Sequence, residues 1–172
     1  MPNYRRARVP GGTYFFTVAL ADRNRRDLVE HIDLLRQAYG EVARKRPFAT
    51  EAIVILPDHL HAIWRLPEGD ADFSTRWKEI KAGFSKRFGA RRPRSGSKRA
   101  KGEVGVWQRR FWEHVIRDPA DMAAHMAYCW GNPVKHGLVA RPTDWEASSI
   151  HRDIRAGRVP PEWAVPEGAF GE

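Results

Sequence analysis

Cysteine and long apolar segments are nearly absent from this chain of 172 residues. The single cysteine, Cys129, excludes an internal disulfide and any cysteine-rich zinc site. No apolar run reaches the roughly eighteen residues that a transmembrane helix needs, and no apolar signal core follows the N-terminus. A glycine-rich nucleotide loop of the GxxxxGK type is missing as well. We therefore expect a cytoplasmic protein with no membrane partner and no nucleotide cofactor.

Acidic residues are scarce in one stretch of the chain. Residues 76–110 contain thirteen Lys or Arg and two acids, a local net charge of +11, whereas the whole chain has +9. Arg5, Arg6 and Arg8 form a short basic N-terminal arm. Basic side chains neutralise phosphates, and aromatic ones can stack on unpaired bases. Six aromatic residues lie within or beside the stretch: Trp77, Phe84, Phe88, Trp107, Phe111 and Trp112. The pattern favours a nucleic-acid partner; the alternative is a solvated face with a disordered basic loop.

Hydrophobic periodicity predicts an α+β fold of seven elements. Strands are predicted at 13–20, 48–56, 59–66 and 106–116, and helices at 27–46, about 70–88 and 119–131. The first six elements follow the ferredoxin-like βαββαβ order, which forms an antiparallel sheet. The seventh is an additional C-terminal helix, which carries Tyr128 and is expected to lie against the sheet.

The limits of that helix and of the domain are also predicted. Asp118 is expected to be the N-cap, with Pro119 at the first helical position. The helix is expected to end near Asn132, because the residue before a proline disfavours helical geometry. We predict one domain at 1–158, with a flexible basic loop at about 89–105, and a tail at 159–172 that contains Pro and Gly.

His59 and His61 flank Leu60 on the third predicted strand. Residues two apart on a strand point to the same face, so both imidazoles would project together while Leu60 enters the apolar side. Two histidines leave a divalent metal ion with open positions for substrate oxygens and water. The alternative is a pair of ordinary strand histidines. Two histidine-rich hydrolase classes fit poorly: histidine-triad enzymes need a third alternate histidine where Ile63 stands, and metallo-β-lactamase-like enzymes need further ligands just downstream.

Tyr128 is the candidate nucleophile on the last helix. Asn132, four residues on, and His125, three residues before, share its helical face. A tyrosine can attack phosphorus and store the bond as a phosphotyrosine, but its reference pKa near 10 means that it needs help to lose its proton. The alternative is an ordinary half-buried tyrosine. The chain has three rivals: Tyr4 in the arm, Tyr14 in a strand and Tyr39 on a core helix stripe.

Several stretches resemble the REP-associated tyrosine transposases, a branch of the single-tyrosine HUH transposases of small insertion sequences. The resemblance covers about residues 4–151. Its motifs are Tyr-Arg-Arg at 4–6, Gly-Gly-Thr-Tyr-Phe-Phe-Thr at 11–17, Leu-Pro-Asp-His-Leu-His at 56–61, Trp-Gln-Arg-Arg-Phe-Trp-Glu-His at 107–114, Ile-Arg-Asp at 116–118, the segment from Tyr128 through Asn-Pro-Val-Lys-His-Gly-Leu-Val at 132–139, and Trp-Glu-Ala-Ser-Ser at 145–149.

The resemblance implies a role for each candidate residue. His59 and His61 would be the metal ligands, with Mg²⁺ or Mn²⁺ as the ion, and Tyr128 would be the nucleophile. In related transposases a polar side chain one helical turn after the tyrosine completes the metal site, which corresponds to Asn132. Cys129-Trp130-Gly131 departs from the pattern of relatives, and Gly131 is expected to loosen the end of the helix.

The resemblance also implies the substrate, single-stranded DNA that carries hairpins (REP-like palindromes), cleaved and rejoined through a 5′-phosphotyrosine. The expected DNA contacts are Arg5, Arg6, Arg8, Lys78, Lys81, Lys86, Arg87, Arg109 and Arg110. The protein could act as a monomer or a dimer. Two alternatives remain at this point: an HUH nickase that does not transpose, and a non-catalytic module that binds single-stranded nucleic acid.

Overall fold

A four-stranded antiparallel sheet forms the centre of the computed structural model, which describes residues 6–91 and 105–170. Its strands are β1 (Thr13–Ala19), β2 (Ala49–Ile55), β3 (His59–Arg65) and β4 (Trp112–Val115). They are arranged in the order β2-β3-β1-β4. This arrangement confirms the predicted α+β, ferredoxin-like fold.

The helices lie on both faces of the sheet. They are α1 (Asp27–Glu30), α2 (Ile32–Lys45), α3 (Phe73–Arg91), α4 (Pro119–Lys135) and α5 (Ile150–Arg155), with a short 3₁₀ helix at Pro142–Asp144. α2 and α3 pack against each other, and α4 packs on β2 and β3. In the described part of the chain, no helix is both long and apolar enough to cross a membrane.

Side-chain alternation along the strands divides the interior into two cores. Phe16, Leu60 and Trp64 belong to the core beneath α2 and α3. Phe15 and Ile63 belong to the core on the opposite face, beneath α4. Because the period of a strand is two, each strand contributes to both cores, which fixes the layers as helices, sheet and helix.

Two predicted elements have different limits in the structure. The helix predicted at 27–46 is interrupted at His31, whose backbone leaves the helical region (φ −121°, ψ 36°) while its ring packs edge-on against Phe88. The strand predicted at 106–116 is reduced to β4. Trp107 forms an isolated bridge with Leu20 instead, and its indole N–H donates to the Lys81 carbonyl at 3.2 Å.

The predicted end of the tyrosine-bearing helix is wrong, although its predicted start is confirmed. The Asp118 carboxylate accepts a hydrogen bond from the Asp121 N–H at 2.8 Å, and Pro119 is the first helical residue. At the other end α4 continues past Asn132 to Lys135, with Pro133 inside its last turn. Gly137 then closes the helix in the left-handed conformation (φ 66°).

This closure explains why Pro133 is tolerated. The Gly137 N–H donates to the Val134 carbonyl and the Leu138 N–H to the Pro133 carbonyl, both at 2.9 Å. These two bonds form a Schellman motif, which satisfies carbonyls at the end of the helix. The proline therefore removes one hydrogen bond near the terminus without ending the helix. Gly131 does not end it either, and Asn132 is held in regular helical geometry.

A buried hydroxyl links α2 to the sheet and gives a test of the fold. The Trp64 indole N–H donates to the Tyr39 hydroxyl at 2.8 Å, and that hydroxyl lies 2.6 Å from Thr50 Oγ1. Burial raises the pKa of Tyr39, so its hydroxyl stays protonated. We predict that Tyr39→Phe lowers the free energy of unfolding by about 1–3 kcal/mol, because it leaves the buried Trp64 N–H without an acceptor.

Urea unfolding monitored by circular dichroism measures this loss. Thr50→Val is the matched control, since it keeps the bond between Trp64 and Tyr39 and should cost less. An unfolding free energy for Tyr39→Phe equal to that of the wild type would contradict the prediction.

Candidate functional site

His59 and His61 project from β3 toward α4. Their ring centroids are 5.0 Å apart, and both side chains are buried. Leu60 points the other way and is fully buried in the core beneath α2 and α3. The strand therefore places two imidazoles together on one face, with their backbone held by the neighbouring strands β1 and β2.

Each imidazole is oriented through its Nδ1 atom. His61 Nδ1 lies 2.9 Å from Thr17 Oγ1 on β1. His59 Nδ1 lies 2.8 Å from Asp58 Oδ1 and 3.3 Å from Nη2 of Arg23. Such contacts orient each ring and leave Nε2 available as a ligand atom, an arrangement found in many metal sites.

Asp58 is itself held as a carboxylate. Burial alone would raise its pKa, but hydrogen bonds from Arg23 and His59 outweigh that effect and lower it. Arg23, Asp58 and His59 thus form a continuous polar chain at the start of β3. Asp58 and Arg23 thus hold the ring of His59 through its Nδ1 atom.

α4 brings Tyr128 and Asn132 to the histidine pair. The helix sits directly on β3, where Cys129 Sγ lies 3.7 Å from the His61 carbonyl oxygen. The Tyr128 ring centroid is 5.2 Å from that of His61 at an angle of 73°. Phe15 packs against both rings, at 5.8 Å from Tyr128 and 5.4 Å from His61. The tyrosine is therefore fixed beside the histidines by packing on two sides.

Three polar atoms at this site are buried without a hydrogen-bond partner among the described residues. They are His61 Nε2, Asn132 Oδ1 and Asn132 Nδ2. Asn132 is 0% exposed, so its amide is removed from bulk solvent. Buried polar atoms in folded proteins are nearly always paired, because leaving one unpaired costs about 1–3 kcal/mol. Unpaired nitrogen and oxygen atoms at one buried site are what a metal ion requires.

The protonation state of His61 also suits a metal ligand. Burial and the nearby His59 lower the pKa of His61 to about 3, while the Asn132 side chain, which lies close to the ring without reaching hydrogen-bond geometry, acts in the opposite direction. The ring is therefore neutral near pH 7 and keeps the lone pair that a metal ligand needs. Two imidazoles and an amide oxygen fit a divalent ion that accepts both nitrogen and oxygen ligands, such as Mn²⁺.

Two further residues reach the site from the end of α4, and no role was predicted for either. Lys135 Nζ lies 3.4 Å from the Tyr128 hydroxyl oxygen and 4.7 Å from the centroid of its ring. The His136 ring centroid is 5.2 Å from that of His59. The spacing of seven residues between Tyr128 and Lys135, two turns along one helical face, is the signal that indicates the first contact.

The C-terminal segment also packs on this helix. The ring of Phe170 lies 6.2 Å from that of Tyr128, and Trp163 packs edge-on against Trp130. A Cβ at Gly131 would lie 2.9 Å from Val165 Cγ2 and 3.0 Å from the Phe170 ring. Glycine at this position therefore allows the segment to approach the helix closely, which is a use for Gly131 that its sequence context did not indicate.

The predicted DNA-binding residues differ in side-chain exposure and in their contacts within the protein. Five of them have exposed side chains: Arg8, Lys78, Lys86, Arg109 and Arg110. Three others make contacts within the protein. Arg6 lies 4.0 Å from the centroid of Phe111, Lys81 donates to the Gln108 carbonyl at 2.7 Å, and Arg87 pairs with Glu41. Arg5 and residues 92–104 of the predicted basic loop lie outside the described residues.

The prediction that the aromatic residues near the basic stretch stack on bases is wrong for most of them. Trp77, Phe84, Phe88 and Trp107 are buried in the core beneath α2 and α3. They stabilise the domain instead, because their apolar area is removed from water. Trp112 alone among the six is exposed, at 52%. Trp77, Phe84 and Phe88 follow one another at helical spacing on α3, which suits a buried core stripe as well as a stacking surface. In the structure these three side chains lie in the core.

Comparisons with known proteins identify the family. No protein-family model matches the chain. The chain is 45% identical over 174 residues to the REP-associated tyrosine transposase of Escherichia coli K12, covering 100% of this chain and 98% of that protein. The chain belongs to the REP-associated tyrosine transposases. A relative from Haemophilus influenzae, assigned to the same family, is 44% identical over 164 residues, 95% of this chain and 93% of its own length.

A solved structure supports the same assignment. It is that of a REP-associated tyrosine transposase bound to a REP hairpin, with a TM-score of 0.83 and 45% sequence identity. It covers 100% of this chain and 98% of its own. The fold described above is thus that of a family member over its whole length.

Asn132 offers a test of whether the buried polar atoms bind metal. We predict that Asn132→Leu keeps or raises the melting temperature in EDTA, because it removes unpaired buried polar atoms. The same variant should lose most of the stabilisation that Mn²⁺ gives, since a ligand at free concentration c that binds only the folded state stabilises it by RT ln(1 + c/Kd), which falls toward zero when binding is lost. Differential scanning fluorimetry against Mn²⁺ concentration measures both effects.

Asn132→Asp is the matched control, because it keeps an oxygen ligand at the same position. It should retain the Mn²⁺-dependent shift. A shift in Asn132→Leu as large as that of the wild type would show that Asn132 is not a ligand.

Proposed function

We propose that this chain is a metal-dependent transposase that cleaves and rejoins hairpin-bearing single-stranded DNA through a 5′-phosphotyrosine intermediate. The observation that carries the proposal is the position of Tyr128 against His61, beside the unpaired Nε2 of His61 and the unpaired amide of Asn132. A nucleophile and a set of metal ligands on one buried surface are what phosphodiester transesterification needs. The family membership supports the same chemistry.

His59, His61 and Asn132 would hold the divalent ion, Mg²⁺ or Mn²⁺. When bound, it supplies positive charge to a non-bridging oxygen of the scissile phosphate. The neutral imidazole of His61 and the mixed nitrogen and oxygen donors favour Mn²⁺ over Mg²⁺, because Mg²⁺ prefers oxygen ligands.

Tyr128 makes and breaks the covalent bonds. Its hydroxyl oxygen attacks the phosphorus, the bond from phosphorus to the 3′ oxygen breaks, and the departing 3′ oxygen takes up a proton. The downstream strand is then held as a 5′-phosphotyrosine. The 3′-OH of a second strand attacks the same phosphorus, and the tyrosine oxygen leaves and regains its proton. One phosphodiester replaces another, so the reaction needs no ATP.

Lys135 and Phe15 assist Tyr128 in this scheme. The ammonium group of Lys135, 3.4 Å from the hydroxyl oxygen, stabilises the negative charge that develops there as the proton leaves. Phe15 holds the phenol ring edge-on and limits its motion toward the histidines. Both contacts act on the nucleophile before substrate arrives, which lowers the cost of reaching the reactive geometry.

The exposed basic side chains bind the DNA backbone in this proposal. Arg8, Lys78, Lys86, Arg109 and Arg110 are free to neutralise phosphates. A hairpin is the expected substrate, because a solved relative is bound to one. We therefore propose that Arg6, Lys81 and Arg87, which make contacts within the protein, contribute less to DNA binding than the five exposed residues.

The structure argues against the non-catalytic alternative. Ferredoxin-like domains that bind single strands through stacking do so on an open sheet face. Here α2 and α3 cover one face and α4 packs on the other. The helix that covers β2 and β3 is the one that carries the tyrosine, so the part of the sheet left open at β1 and β4 adjoins a candidate nucleophile.

We predict that Tyr128→Phe abolishes the covalent protein–DNA adduct while hairpin binding changes by less than about twofold. Loss of a nucleophile removes the chemical step, but not the phosphate contacts that supply most of the affinity. The measurement uses hairpin-bearing single strands labelled on the 3′ side of the cleavage point, with Mn²⁺, and denaturing gels to detect the adduct.

Tyr39→Phe is the matched control, since it removes a hydroxyl from a tyrosine remote from the histidine pair and should still form the adduct. EDTA should abolish the adduct in the wild type. Adduct formation by Tyr128→Phe, or by the wild type in EDTA, would overturn the proposal.

A further inference from the structure

A cavity of about 520 Å³ opens beside Tyr128, and Asn132 is not among its lining residues. Its lining is mainly aromatic and includes Phe15, Trp112, Tyr128 and Phe170, with Thr17 and His125 as polar members. A volume of this size is typical of small-molecule sites. No role in the proposed chemistry has been given to Trp112 or to this cavity.

Trp112 is exposed where a large aromatic side chain is normally buried. It is 52% exposed and, with Val9, is one of two exposed large hydrophobic residues among those that the structure describes. It lies on β4, at the edge of the sheet, and lines the cavity. Four of the other aromatic residues near the basic stretch are buried and Phe111 is half-buried against the same core, so Trp112 is the member of that group placed to stack on a base.

The strand register places Trp112 in line with the metal-ligand histidine. His61 pairs with Thr17, and Thr17 pairs with Trp112, so the three residues form one row across β3, β1 and β4. Adjacent strands are about 4.8 Å apart, which puts the backbone at Trp112 about 10 Å from that at His61. If the scissile phosphate lies at His61 and Tyr128, the nucleotide next to it lies over Thr17 and Trp112.

The wall that carries Trp112 is rigid. The Trp112 ring is nearly parallel to that of His114, with centroids 6.0 Å apart, and His114 stacks on His125 at 4.5 Å. The Asp121 carboxylate lies 2.9 Å from His114 Nε2 and 3.0 Å from His125 Nδ1. A fixed aromatic platform costs little conformational entropy when a base stacks on it.

Charge around the cavity matches a nucleotide rather than an apolar peptide. Arg109 and Arg110, both exposed, lie three and two residues before Trp112 in the chain. Lys135 contacts the hydroxyl of Tyr128, which is one of the lining residues. An aromatic platform flanked by cations is the usual arrangement for binding an unpaired base together with its phosphates.

We propose that this cavity is a nucleobase subsite, in which Trp112 stacks on the base adjoining the scissile phosphate. The subsite rests on the proposed function, since a flanking base is present only if a single strand is held at Tyr128. Stacking tolerates all four bases, whereas Thr17 and His125 can distinguish them through hydrogen bonds to the base edge.

A mutant cycle between protein and DNA tests the subsite without relying on cleavage. The protein carries Tyr128→Phe, and the probe is a fluorescent oligodeoxynucleotide hairpin with unpaired flanks on both sides. In a series of probes, each unpaired nucleotide in turn is replaced by an abasic residue. Trp112→Ala should weaken binding of the intact probe by about 5- to 100-fold. It should have no effect on the one probe that is abasic at the matching position.

Two variants serve as controls in the same assay. Trp112→Phe should keep most of the affinity, because it keeps a ring that can stack. Arg110→Ala should weaken every probe by a similar factor, since a phosphate contact does not depend on the base. Because Trp112 is exposed, Trp112→Ala should fold normally, and its thermal unfolding in EDTA verifies this.

The outcomes separate the subsite from the chemistry. If Trp112→Ala weakens the binding of all probes equally, or weakens the binding of none, the subsite is overturned. It is also overturned if the variant changes only self-association, measured by size exclusion. If the wild type forms the covalent adduct but no coupling is found, the proposed function stands and the subsite fails. If coupling is found but no adduct forms, the subsite stands and the chemistry fails.

Discussion

The alternation of side chains along β3 is the constraint on which the rest of this site depends. Leu60 and Trp64 are buried beneath α2 and α3, and this burial forces His59 and His61 to the other face. A shift of one residue in the pairing would exchange the two sets and place imidazoles in an apolar core. The hydrophobic effect on one face of the sheet thus fixes the ligands on the other, and the packing of α4 on β3 then brings Tyr128 and Asn132 to them.

The site combines rigid support with unpaired ligand atoms. Thr17 and Asp58 hold the Nδ1 atoms of the two histidines, whereas His61 Nε2 and the amide of Asn132 are buried without partners in the described part of the chain. Such atoms lower the stability of the folded protein, so a fold that keeps several at one place needs a compensating ligand. In the proposed mechanism, the arrangement that costs stability would also prepare the geometry for catalysis, because the side chains would need no reorganisation to bind an ion and a phosphate.

The sequence was sufficient to predict the order of the elements up to α4 and to name candidate residues, but not to predict α5, the 3₁₀ helix or the contacts between elements. Alternating and helical periods in the hydrophobic pattern predicted βαββαβ and the extra helix, and Asp118-Pro119 predicted the start of α4. The end of α4 was wrong because a Schellman motif around Gly137, formed by backbone bonds, allows Pro133 to remain helical. The aromatic residues of α3 were misread for a different reason, since one helical spacing suits both a core stripe and a stacking surface. Lys135, Thr17 and Asp58 acquire their positions only when strands and helix come together in space.

In the proposed function, His59, His61 and Asn132 form a metal site beside Tyr128. An anomalous difference map tests this site directly, from crystals of the wild-type protein grown with Mn²⁺ and recorded at the manganese edge. We predict one strong peak within bonding distance of both histidine Nε2 atoms and of Asn132 Oδ1. A map with no peak between β3 and α4, or with manganese bound only elsewhere, would contradict it.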